Sequence, residues 1–188
     1  MTNRSALGTL AMLAVFLLSG APAPLQGQGF QGPLLITSAG QSPDVQLATV
    51  LARRAGIEHT LSPLAAPGEL ASFKTLAIVV GASLKGLGAA GIDTNKEKER
   101  VRSLLAEAAR RNIPVLLLHL GGEQRRGELT DEMITEYLPS AQWALIVKSG
   151  NQDGLFTSIC GEKKIPLHEL ERTADGTEVL KAAFQGAG

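Results

Sequence analysis

Four short segments of this 188-residue sequence hold the side chains and glycines that chemistry could use. Ser38-Ala39-Gly40-Gln41-Ser42 is a small-residue turn leading into a helix. Free amides and the helix dipole favour an anion at such a place, which makes Ser38, Gly40, Gln41 and Ser42 candidate ligands for one. Gly81 to Gly91 is glycine-rich, and Lys85 is its one charged residue. Gly86 there would let the backbone approach a ligand closely, or the segment could act as a lid. No Gly-Lys-Ser/Thr tail is present, so it is not a nucleotide-binding P-loop. His119 opens the third segment, followed by Gly121, Gly122, Arg125 and Arg126. The two arginines could clamp a carboxylate or phosphate with paired N–H donors. The fourth, Lys148 to Gly154, is a further polar turn. Lys85, His119, Arg125, Arg126 and Lys148, set against Asp44, Glu123 and Asp153, suit a small anionic or polar ligand better than an apolar one.

Two other chemistries compete with that reading. Ser42 or Ser38 could be a nucleophile with His119 as base and Asp44 or Asp153 orienting it, which would make a hydrolase. Against it, the Gly-x-Ser-x-Gly elbow is missing. The same residues can instead be structural, with Ser42 capping a helix and the arginines pairing with Glu123 and Glu128. The domain would then dock a partner protein and have no small-molecule site. The three histidines, His59, His119 and His168, are widely spaced and the one cysteine stands apart, so no metal site is expected.

These segments need elements to position them. Pro33–Thr37, Ile57–Leu61, Thr75–Gly81, Pro114–His119 and Trp143–Val147 are short apolar runs of strand length. Between them the spacing predicts helices: one from a Ser42 cap and Pro43 to about Arg54, one from a Thr94-Asn95-Lys96-Glu97 capping box, one from Thr130 to near Pro139. Two short helices follow, around Leu155–Cys160 and Thr177–Phe184. Continuous apolar strands separated by helices require a parallel sheet covered on both faces. The expectation is therefore a three-layer, flavodoxin-like open α/β sheet of about five strands in the order 2-1-3-4-5, with a ligand at the carboxyl edge where the order reverses.

Composition narrows the partners. Hydrophobic residues make up 44% and charged residues 19%, with a formal charge of zero, so the chain lacks the basic footprint of a nucleic-acid binder. Cys160 alone cannot form an internal disulfide and reads as an inert buried thiol. Residues 1–29 read as an export signal: Arg4, an apolar run from Ala6 to Leu18, then small residues and prolines. That run is too short to cross a membrane comfortably. Residues 30–188 then form one exported domain, periplasmic or extracellular, with no membrane contact beyond the signal.

The Ser38–Ser42 turn resembles the phosphate loop of flavodoxins. True flavodoxins hold their flavin between aromatics, and the matching loops here contain no Trp, Tyr or Phe, so FMN is not expected and no other cofactor is implied. Three phrases, Leu35 to Ser42, Lys85 to Asp93 and His119 to Leu129, also resemble a family of secreted bacterial proteins known as domain of unknown function six-three-zero-five. The likeness runs from about Pro33 to Phe184. It implies fold and export and assigns no residue a role.

Overall fold

The computed structural model describes residues 29–186. The expected export signal, apart from Gly29, lies outside them. Six strands form one all-parallel sheet: β1 (Leu34–Ala39), β2 (His59–Leu61), β3 (Thr75–Val80), β4 (Val115–His119), β5 (Trp143–Val147) and β6 (Leu167–Leu170). Their order is β2-β1-β3-β4-β5-β6. The expected order is therefore found, with one strand more. β6 escapes the apolar-run criterion because it is an edge strand: His168 and Glu169 face solvent, and only Leu170 is buried. β2, at the other edge, is three residues long and half-buried.

Among the described residues six α-helices cover the sheet: α1 (Val45–Arg54), α2 (Leu84–Ala89), α3 (Thr94–Arg111), α4 (Glu128–Tyr137), α5 (Leu155–Lys163) and α6 (Gly176–Gln185). Because strand side chains alternate between faces, two cores form. Leu35, Ile78, Leu117 and Ile146 pack with Val101, Leu104 and Ala108 of α3, Met133 and Ile134 of α4 and Phe156 of α5. Ile36, Val79, Leu118 and Leu145 pack with Val45, Ala48 and Leu51 of α1 and Leu180 of α6. Both faces of β1, β3 and β4 are buried along their whole length, which explains their unbroken apolar character.

Four local expectations change, the first being that α1 starts at Val45 after Asp44 and not from a Ser42 cap and Pro43. The glycine-rich segment after β3 is not an open loop: Ser83 accepts the Gly86 N–H and starts α2. α3 is capped by Asp93, whose Oδ1 accepts the Lys96 N–H at 2.8 Å, and not by Thr94. Glu97, expected to close a capping box on Thr94, turns into the interior instead. α4 begins at Glu128, two residues before Thr130.

Candidate functional site

In a parallel sheet every strand ends at the same edge, so the turns after β1, β3, β4 and β5 share one rim. The reversal of strand order lies between β1 and β3. The turns converge closely. The Ser83 N–H donates to the Gly40 carbonyl at 2.8 Å, and a Cβ placed on Gly86 would overlap the Gln41 carbonyl oxygen. A Cβ on Gly121 would overlap Asp44 Oδ2 and the stem of Arg125.

Within that rim the Ser38–Ser42 turn is already filled. The Gly40 N–H donates to Glu97 Oε1 at 2.9 Å, and Gln41 Nε2 donates to the same oxygen at 2.9 Å. Glu97 is fully buried and paired with Arg100, whose Nε donates to Oε2 at 2.8 Å and one terminal nitrogen to Oε1 at 2.9 Å. Arg100 also reaches the carbonyls of Ser38 and Ala65. The Gly40 amide and the Gln41 side chain, expected to face an external anion, meet the chain's own Glu97 carboxylate. The close approach that Gly86 permits is to the Gln41 carbonyl. Glu97 and Arg100 were missed in the sequence. The signal was present: Glu97 lies on the stripe that continues through Val101, Leu104 and Ala108, with Arg100 three residues on to neutralise it.

Ser38 and Ser42 are buried. Ser42 Oγ accepts the Asp44 N–H at 3.2 Å, and Ser38 Oγ has no partner among the described residues. Ser38 shares its face of the sheet with Leu34 and Ile36, next to α1 and α6. His119 shares the opposite face with Val115 and Leu117. β3 also lies between their strands, so about 10 Å of sheet separates the backbones. Neither ring nitrogen of His119 is open to a substrate: Nδ1 faces the Val80 carbonyl at 3.0 Å and Nε2 the Gly122 carbonyl at 3.1 Å. A Ser38–His119 hydrolytic pair is not assembled.

Two arginines meet different fates. Arg126 Nε donates to Asp131 at 2.6 Å, and its terminal nitrogens donate to Asp153 and the Gly150 carbonyl, with the guanidinium 5.9 Å over the Phe156 ring. It ties the turn after β4 to the turn after β5, and all three of its guanidinium nitrogens are bonded within the protein. Asp153 is held at about 2 by hydrogen bonding to Arg126 and to the Leu155 amide. Arg125 differs. It meets Asp44 Oδ2 through Nε alone, at 3.2 Å, and its two terminal nitrogens bond no described residue. Its side chain is 32% exposed and that of Asp44 only 10%. Beside it Gly121 is right-handed and Gly122 has φ +59°. Consecutive residues of opposite hand turn their N–H groups into one concavity, a geometry that receives anions. Lys85 is exposed on α2 at the same rim.

Trp143 packs on Phe30 and His168, with ring centroids 6.2 and 4.8 Å away. Cys160 is buried and its thiol is pushed up to about 11 by burial. A groove of about 380 Å³, lined by Arg102, Leu105, Tyr137 and Gln142 among others, lies towards the amino ends of β4 and β5, away from the rim. Among the described residues no cluster of three His, Cys, Asp or Glu could hold a metal ion, and no helix is long and apolar enough to cross a membrane.

Residues 31–184 match the family described as Domain of unknown function (DUF6305), and the chain belongs to that family. No curated protein matches it. Among solved structures it is similar to AlinE4, described as an SGNH-hydrolase family esterase, at 13% identity over 76% of each chain with a TM-score of 0.31. Two mutants of the same esterase match at 15% identity, covering 78% of this chain and 80% of that one in one case, 82% and 92% in the other, with TM-scores of 0.31 and 0.30. Agreement of that order does not extend to side-chain arrangement.

Proposed function

We propose that this domain, acting outside the cytoplasmic membrane, is a non-enzymatic module that binds a small anion at the β3–β4 half of the rim. The terminal nitrogens of Arg125 are the clamp and the Gly121–Gly122 turn is the cradle. The observation that carries this reading is the partial commitment of Arg125. A largely buried Asp44 fixes the guanidinium through Nε, and the two donors best suited to a bidentate oxyanion have no protein acceptor among the described residues. Burial of Ser38 and the carbonyl contacts of His119 support binding over catalysis.

The test is calorimetric titration of the protein with sulfate, phosphate and acetate, beside thermal shift. Hydrogen bonds to charged groups contribute about 1.5–3 kcal/mol, so Arg125→Gln is expected to weaken binding roughly tenfold to a hundredfold. Arg126→Gln should lower stability more than it lowers affinity. If none of the three anions binds or stabilises the protein, this reading fails, and the closed charge network favours a partner-docking domain instead.

A further inference from the structure

His119 is a buried ionisable group that the anion site does not use directly. It is fully buried at the end of β4, directly beneath the rim. Four elements enclose the ring. The Val80 carbonyl of β3 faces Nδ1, and the Gly122 carbonyl of the turn after β4 faces Nε2. Phe156 of α5 packs 5.4 Å from it, centroid to centroid. Gly150, in the turn after β5, lies so close that a Cβ there would be 2.7–2.8 Å from the imidazole. The charged groups acting on the ring are Asp44, which favours its proton, and Arg126, which opposes it. Arg126 is itself neutralised by Asp131 and Asp153.

The two carbonyls set up a chemical asymmetry. A neutral imidazole has one N–H and one lone pair. Whichever tautomer forms, it donates to one carbonyl and points its lone pair at the other. Only the imidazolium donates to both, and in doing so ties the end of β3 to the residue that gives the Gly121–Gly122 turn its shape. Full burial resists that charge, since an unbalanced cation in the interior is costly. An anion held by the same turn and by Arg125 would supply the missing countercharge.

We infer that anion binding at the rim is coupled to protonation of His119, the imidazolium acting as a latch that locks the Gly121–Gly122 turn to β3 and adds a positive charge beneath the bound anion. The inference rests on the anion-binding reading above and adds its regulation. Coupling of this kind is reciprocal: an anion that binds the protonated form more tightly must raise the affinity of His119 for its proton by the same factor. In the unliganded protein burial holds the imidazole below its ordinary value, so a proton is available to be taken up when the anion arrives.

Sulfate is the probe, because it does not titrate between about pH 5 and 8, where histidine does. Sulfate affinity would be measured by calorimetry across that range in the wild type and in His119→Gln. In parallel, the imidazole nitrogens of wild-type His119 would be followed by NMR with and without sulfate. The expected result is affinity rising as pH falls, by up to tenfold per pH unit, together with an upward move of the His119 titration in sulfate and a flat affinity profile in His119→Gln. Sulfate binding with a flat profile in the wild type would overturn the latch and leave the anion site standing. So would a His119 titration that sulfate does not move, which remains readable if His119→Gln fails to fold. No sulfate binding at any pH would remove the anion site and the latch with it.

Discussion

Glu97→Ala is the most direct test of how the rim is built. The substitution removes the carboxylate on which the Gly40 amide, Gln41 Nε2 and the Arg100 guanidinium converge at 2.8–2.9 Å. Breaking a buried ion pair from one side costs about 3–5 kcal/mol, because the remaining charge is left uncompensated. Arg100 keeps the carbonyls of Ser38 and Ala65, and its side chain is 14% exposed, so the lower end, about 3 kcal/mol, is expected. For a domain of this size each kcal/mol moves Tm by roughly 2–4 °C, giving a fall of about 6–12 °C. Urea denaturation of wild type, Glu97→Ala, Arg100→Ala and the double variant would supply the numbers. The double variant should cost much less than the sum of the singles. The hole also predicts rescue. Formate or acetate can enter beside Arg100 and the Gly40 amide, and a ligand that binds only the folded state stabilises it by mass action. A loss below about 1 kcal/mol for Glu97→Ala would refute the account of Glu97 as the internal occupant of this turn.

Three further outcomes are expected. Gly86→Ala places a Cβ onto the rigid Gln41 backbone carbonyl, and should lower Tm, whereas Gly88→Ala, where nothing lies within 4 Å, should not. Cys160 should resist thiol reagents in the native protein at mildly alkaline pH and react readily in denaturant, since burial pushes it up to about 11; fast native labelling would contradict its burial in the core that α5 packs on. Stability without added anion should decline on acidification below about pH 6.5, the ordinary histidine value. His119 is lowered by its full burial, and His168, though it lies at the surface, by the partial cover its ring finds against Trp143. The unfolded chain therefore binds more protons in the window between their folded values and 6.5, so stability is present above that window and is lost as pH falls through it. Denaturant midpoints across the range would check the slope, which His119→Gln should reduce.

Which of these features could be read from the chain depended on how local their cause is. β1, β3, β4 and β5 were legible because continuous apolar runs have one physical meaning in an α/β chain. β6 was not, because an edge strand with a single buried residue, Leu170, and Pro166 at its entry lacks that run. α2 was hidden by Gly86 and Gly88, poor helix formers that are retained where Gly86 must pass the Gln41 carbonyl. The convergence of the turns carrying Gly40, Gly86 and Gly121 followed from topology alone. What filled the rim did not. Glu97 comes from a helix 57 residues beyond Gly40, and no local pattern distinguishes a capping glutamate from one turned inward. The two arginines show the same limit: adjacent and chemically alike in sequence, they diverge because Asp131 and Asp153 take all of Arg126, whereas Asp44 takes only one nitrogen of Arg125.

The margins of the sheet have a bearing on how this domain can assemble. β2 offers three residues of unpaired backbone on one side; on the other, β6 turns His168 and Glu169 to water with Pro166 at its entry. Short, charged and proline-flanked borders make poor templates for a neighbouring chain's strand. Growth into ribbons or fibrils through backbone pairing is thereby discouraged, and any lasting contact with another molecule is left to the helices or to the rim where the turns meet.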